Sequence, residues 1–187
     1  MLRIARIVGM TLISMLAIGG VASAHVFEAE KAGSVTRAAN ALQIFTAEEG
    51  GPKVECETDA VTNASFTQTK QLHLLADISY SGCNIPGLGA ATVSTAKYLF
   101  SADGGLVRLE NTVLISAPFE CMYTIHPQHF PTGITFQNKG NNIVVIPSVK
   151  GIVSLGTGGL GLCKNSTNGL YSGSTEVTSA GQVIKWV

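Results

Sequence analysis

From Gln71 to Tyr80 the chain alternates, with Leu72, Leu74, Ala76, Ile78 and Tyr80 falling between Gln71, His73, Leu75, Asp77 and Ser79. Side chains on a strand point to opposite faces in turn, so a period of two requires an extended segment with one wet face. Similar strand-like runs follow at Ala91–Phe100, Leu106–Ser116, Cys121–Ile125, Ile134–Gln137, Ile143–Ile146, Val149–Leu155, Leu170–Val177 and Gln182–Val187. Turn chemistry separates them. Ser81-Gly82-Cys83-Asn84 is expected to end the first strand, Pro86-Gly87 to make a turn, and Ala102-Asp103-Gly104-Gly105 and Asn138-Lys139-Gly140-Asn141 to close hairpins. Ser34 to Phe45 mixes helical spacing (Val35, Ala38, Ala39, Leu42) with β-capable residues and stays undecided. The pattern contains no long amphipathic helix, which excludes βαβ folds. The expected fold is therefore all-β, an antiparallel sandwich or partly closed barrel of about eight to ten strands.

The first 24 residues read as a secretory signal peptide. Arg3 and Arg6 supply a positive start, Ile7 to Ile18 is uncharged and apolar, and Ala22-Ser23-Ala24 is an A-x-A cleavage site. The Gly19-Gly20 pair and the cleavage site argue for removal rather than for an uncleaved anchor. Cleavage would leave residues 25–187 as a single domain that is secreted or extracytoplasmic, with no membrane span. The mature chain would begin at His25.

In an oxidising compartment the four cysteines, Cys56, Cys83, Cys121 and Cys163, are expected to form two disulfides, for which three connectivities exist. Cys56–Cys83 with Cys121–Cys163 is favoured because each closes a local loop, worth roughly 3.5 and 4 kcal/mol by loop entropy. Twelve Lys and Arg face twelve Asp and Glu, and losing Arg3 and Arg6 leaves a slightly acidic balance without a basic cluster. That composition argues against nucleic-acid binding, which depends on neutralising phosphates. Nothing in the sequence names another partner.

The order of several landmarks carries a resemblance. These are Phe27-x-x-Glu30, Gly51-x-x-Val54-x-Cys56, Tyr80-Ser81-Gly82-Cys83 with Gly87, and Cys121-x-Tyr123-x-Ile125-x-Pro127-Gln128. Val149-x-Gly151-Ile152, Cys163 and Tyr171-x-Gly173-Ser174-x-x-Val177 complete them. In this order they resemble a family of uncharacterised exported actinobacterial β-proteins. The resemblance implies a β-sandwich and the same cysteine pairing, and it supplies no activity. Relatives look as though they carry a third cysteine pair near Tyr98 and Asn111. This chain has Lys97-Tyr98 and Asn111-Thr112 there.

No convergent catalytic set stands out, so no catalytic residue is assigned. Gly156-Thr157-Gly158-Gly159-Leu160-Gly161 lacks the Lys-Ser/Thr ending and the helix of a phosphate loop. Ser101, Ser116 and Ser154 sit in no G-x-S-x-G elbow, and Glu48-Glu49 and Glu55-x-Glu57 read as solvated charges. The leading expectation is an exported, non-enzymatic protein with a structural or binding role at the envelope and no cofactor. A second reading is a copper-binding oxidase or carrier. A mature N-terminal His25 would offer both an amino group and an imidazole, with His126 or His129 as a further ligand. His126-Pro127-Gln128-His129 could alternatively be a surface turn, and His73 a cross-strand packing residue. A third reading is a glycan or small-ligand binding module, which needs an open cleft or exposed aromatics. Among Tyr80, Tyr98, Tyr123, Tyr171 and Trp186, only Trp186 is expected at the surface.

Overall fold

A computed structural model of the chain describes residues 25–48, 50–103, 107–161 and 163–187. The signal peptide expected over residues 1–24, and the Gly104-Gly105 hairpin tip, lie outside the described residues. Elsewhere the regular structure is antiparallel strand, relieved only by a 3-10 turn at Gly159–Gly161 among the described residues. The sheets end in free edges and do not close into a barrel, so the architecture is a β-sandwich.

One strand organises it. Asn142–Thr157 pairs with Ile134–Lys139 and Thr175–Ser179 through its first third, with Ser166–Ser172 through its middle, and with Cys121–Ile125 at its end. The middle ladder continues through Gln43–Thr46, Lys53–Thr62, His73–Ile85, Ala96–Ser101 and Val107–Leu109 to Gln128–Phe130. The first ladder reaches Gly33–Asn40 and Ala64–Phe66, and the last reaches Val113–Ala117 and Thr92–Val93. A small separate sheet joins Phe27–Ala29 to Ile184–Trp186 and Lys70–Gln71. The undecided segment from Ser34 to Phe45 is thus strand on both sides of a break at Ala41–Leu42.

Several expected boundaries are corrected. The strand starting at His73 runs to Ile85, straight through Ser81-Gly82-Cys83-Asn84. Gly82 takes φ of 63° and the buried face changes from Tyr80 to Cys83, while Lys53–Thr62 opposite it changes from Cys56 to Asp59. Both strands rotate together, and the ladder survives. The runs Ala91–Phe100 and Leu106–Ser116 each break, at Ser94-Thr95 and at Glu110–Thr112, and cross from one ladder to another as a pair. The Asn111 side-chain amide holds that crossing by accepting from Lys97 N (2.7 Å) and donating to the Thr95 carbonyl (2.9 Å). Leu170–Val177 likewise splits at Gly173-Ser174, whereas Ile143–Ile146 and Val149–Leu155 fuse into one strand.

Cys56 pairs with Cys83 and Cys121 with Cys163, with Cα separations of 3.9 and 5.8 Å. Cys56 and Cys83 stand directly opposite each other in the ladder, where antiparallel backbones approach most closely. Of the two separations, that of Cys121 and Cys163 lies within the usual disulfide range of about 4.4–6.8 Å, and that of Cys56 and Cys83 lies below it.

Between the sheets, Phe27 packs edge-on to Phe136 (5.0 Å between centroids), and Phe45 stacks on Tyr171 (4.6 Å). A buried polar seam crosses this core. The Tyr80 hydroxyl meets those of Tyr98 and Tyr171, and Tyr171 donates to Gln43 Oε1 at 2.8 Å. Gln43 Nε2 reaches Thr175 Oγ1, which in turn donates to Asp59 Oδ2. Burial pushes the three phenols up, Tyr98 to about 12, so they stay protonated and act as hydrogen-bonding struts.

Candidate functional site

The strand that joins the ladders also builds the site. Along its first part the buried residues are odd-numbered, Ile143 and Val149, as a plain alternation requires. At Lys150 to Ile152 the register with Ser166–Ser172 shifts, and Gly151 adopts φ of 75°. A left-handed residue inside a strand is a bulge position that suits glycine, since other side chains there are strained. Beyond it the parity reverses. Ile152 and Ser154 turn inward, while Val153 and Leu155 are 49% and 43% exposed. A hydroxyl is thereby placed inside the sandwich, and two aliphatic side chains outside.

Ser154 lines an inter-sheet cleft of about 320 Å³. One wall is Ile115, Ala117, Tyr123, Ile125 and Ile152, and the facing wall is Phe45, Val54 and Ile85. Ile115 and Tyr123 are register partners, as are Phe45 and Val54, so each wall is a row of cross-strand neighbours. Polar groups are few: Thr46, Ser154, Ser166, Glu48 and Lys164, the last two exposed at the mouth. Burial, then the charge of Glu48, push the Tyr123 phenol above its ordinary value. Ser154 is 3% exposed, and its hydroxyl has no hydrogen-bond partner among the described residues. An unmet buried hydroxyl costs about 1–3 kcal/mol.

The mouth is formed by two loops in close approach. Phe119 and Glu120 hold φ of 63° and 57°, and Phe119 is 71% exposed. Gly158 and Gly159 pass so near that an added Cβ would strike the Glu120 carbonyl or the sulfurs of Cys121 and Cys163. Non-glycine residues in the left-handed region cost about 1–3 kcal/mol and gather at ligand clamps. The Cys121–Cys163 disulfide ties these loops together.

The residues singled out from the sequence lie elsewhere. His25 is exposed and stacks on Trp186 with ring centroids 4.3 Å apart, and Trp186 is half-buried rather than free, donating from Nε1 to the Ala102 carbonyl. His126 is exposed, and His129 sits exposed on Gln128–Phe130 opposite Arg108. The segment from His126 to His129 is thus half turn and half strand. Among the described residues no three His, Cys, Asp or Glu side chains gather into a metal-holding group. Tyr80, Tyr98 and Tyr171 are buried in the seam and present no face to a sugar. His73 is exposed opposite Ser101, and Glu49 lies outside the described residues.

Asp59 is a functional-looking group that sequence reasoning passed over, and Ser154 entered it only as a nucleophile without an elbow. Asp59 is buried, its Oδ1 lacks a hydrogen bond, and the Arg37 guanidinium comes within 3.9 Å. Burial pushes its carboxyl up, against the opposing pull of Thr175 and then Arg37. Both side chains are inward only because a strand changes parity just before them. The signal available in the sequence was Gly151 within an otherwise regular strand. No helix among the described residues is long and apolar enough to cross a membrane. No protein-family model, curated protein or solved structure matches the chain.

Proposed function

We propose that this protein is an exported, non-enzymatic β-sandwich of the cell envelope that binds an apolar small molecule between its sheets. We also assign it to the exported actinobacterial proteins that it resembles. The observation that carries the binding reading is the cleft. Its volume of about 320 Å³ falls at the low end of the roughly 300–1,000 Å³ usual for ligand pockets. Its walls are apolar, with a few convergent polar groups, which is the composition of small-molecule sites rather than of a packing defect. By contrast, the void that Phe27, Phe66, Phe100 and Phe136 help to line measures about 60 Å³ and is almost wholly apolar. The leader-like sequence of the first 24 residues and the two cysteine pairs support export, and the reading of binding over turnover rests on the described residues, where no acid, base and nucleophile converge.

The test is titration of the chain from His25 onward with the neutral fluorophore N-phenyl-1-naphthylamine. Saturable binding at one site per chain is expected. Ala117→Leu narrows the cleft from within, and Leu88→Trp crowds its mouth without touching the core. Either should weaken binding while near-ultraviolet circular dichroism stays native. Absence of saturable binding, or affinity unmoved by both variants, refutes the reading.

A further inference from the structure

Resting on that reading, we propose that the cleft is a blind slot that measures its ligand, and that Phe45 sets the length it accepts. Phe45, Ile125 and Ile152 line both the cleft and the void of about 60 Å³ in the aromatic core. They are therefore the partition between the two spaces, the floor on which a molecule entering from the mouth comes to rest. Val54, Ile85, Ile115 and Ala117 line the cleft alone and belong to its side walls. Ile152 reaches the floor because the bulge at Gly151 turns it inward.

The floor is braced from behind. The Phe45 ring stacks on Tyr171 (4.6 Å, 11° between planes) and meets Tyr80 edge-on at 5.0 Å. Tyr171 donates to Gln43 Oε1, and the Gln43 amide donates to the Ala41 and Ser174 carbonyls at 3.0 and 3.1 Å. For Phe45 to swing away from the cleft, Tyr80 or Tyr171 must part buried hydrogen bonds, which is costly. The polar seam thus gives the floor its stiffness. Volume sets the limit. A dry apolar cavity of about 150 Å³ takes up benzene, so the cleft, at about 320 Å³, holds about a dozen carbons. Longer molecules leave their remainder at the mouth, where the charged lining residues, Glu48 and Lys164, are exposed. A straight-chain alcohol enters tail first, because its hydroxyl keeps its water there.

Straight-chain primary alcohols from hexanol to hexadecanol test this, by displacing N-phenyl-1-naphthylamine from the chain that begins at His25. Affinity should rise about fourfold with each added methylene, about 0.8 kcal/mol, and level off near about twelve carbons. Phe45→Leu lowers the floor and should carry the plateau longer by about two carbons. Ile152→Val is a milder change at the same floor, small enough to keep the native near-ultraviolet circular dichroism, and should lengthen it by about one. Ile85→Val, on a side wall, should leave the plateau where it is. If wild-type affinity climbs through hexadecanol, or no alcohol displaces the bound fluorophore, the length limit falls and the cleft reading stands. The assignment of Phe45 falls if both floor variants keep the wild-type plateau, or if Ile85→Val moves it as far. If the fluorophore itself fails to bind saturably, the cleft reading falls and the length limit with it.

Discussion

The two ends of the sandwich draw on different strands and are finished differently. At one end Phe27, Phe66, Phe100 and Phe136 interlock, Trp186 closes over Phe136 at 6.0 Å, and the indole finds the Ala102 carbonyl. At the other, Phe119 stands in solvent, Ser154 goes unmatched, and two loops hold left-handed residues. The closed end meets its polar groups and leaves only the small void of about 60 Å³ among its phenylalanines. The open end does neither, and it is secured by the Cys121–Cys163 link instead of by packing. Where packing is incomplete while the fold has the means to complete it a few strands away, the gap is a feature of the site.

Substitutions that separate the ends sharpen this contrast. Phe136→Ala should cost about 3–5 kcal/mol in urea unfolding, the range for emptying a packed aromatic site. If it costs under about 1 kcal/mol, the closed end is not the anchor described here. Replacing Cys121 and Cys163 together by serine should remove about 4 kcal/mol. It should also abolish N-phenyl-1-naphthylamine binding at denaturant concentrations where the domain remains folded. Retained binding with only a lowered midpoint would show that the disulfide serves the whole domain and not the mouth.

Much of the β-architecture was legible because strand alternation and turn residues are local signals. Cys121–Ile125 falls where its pattern places it, and the Ile134–Lys139 hairpin needs only Gly140 at its turn. The site was not legible, because it depends on parity changes that are set across strands. Lys53–Thr62 and His73–Ile85 rotate together at Glu57 and Gly82, and this exchange turns Asp59 inward. Ser154 depends on Gly151 in the same way. Read one strand at a time, Val153 and Leu155 look like core and Ser154 like surface, the reverse of what pairing with Ser166–Ser172 dictates.

Asp59 gives a contrast in pH. Its carboxyl titrates above the ordinary 3.8 in the folded chain, so the folded state holds a proton that the unfolded state has released. Its stabilising contribution is complete below that value and is lost as pH rises through the raised value. Asp59→Asn should flatten this part of the stability profile, measured as melting temperature against pH upward from about 4. An unchanged slope would mean that Arg37 and Thr175 together offset the burial. The smallest effect is expected at Phe119→Ala, which should alter stability by less than about 0.5 kcal/mol yet weaken probe binding. A loss of stability without a loss of binding would place Phe119 in the scaffold.

The sharing of Asn142–Thr157 among three ladders bears on how the chain can fold at all. Its partners are drawn from both flanks, and the earliest described strand, Phe27–Ala29, pairs with Lys70–Gln71 on one side but closes on the other only against Ile184–Trp186. Few contacts are local, so the search is dominated by distant closures, which places such topologies in the millisecond-to-second range. A chain emerging from one end can therefore complete none of its major sheets until Asn142–Thr157 has appeared. The small sheet waits for Trp186. Six strands from Gln43–Thr46 to Gln128–Phe130 can pair before then, so such a polypeptide carries an unfinished sheet edge until late in its synthesis.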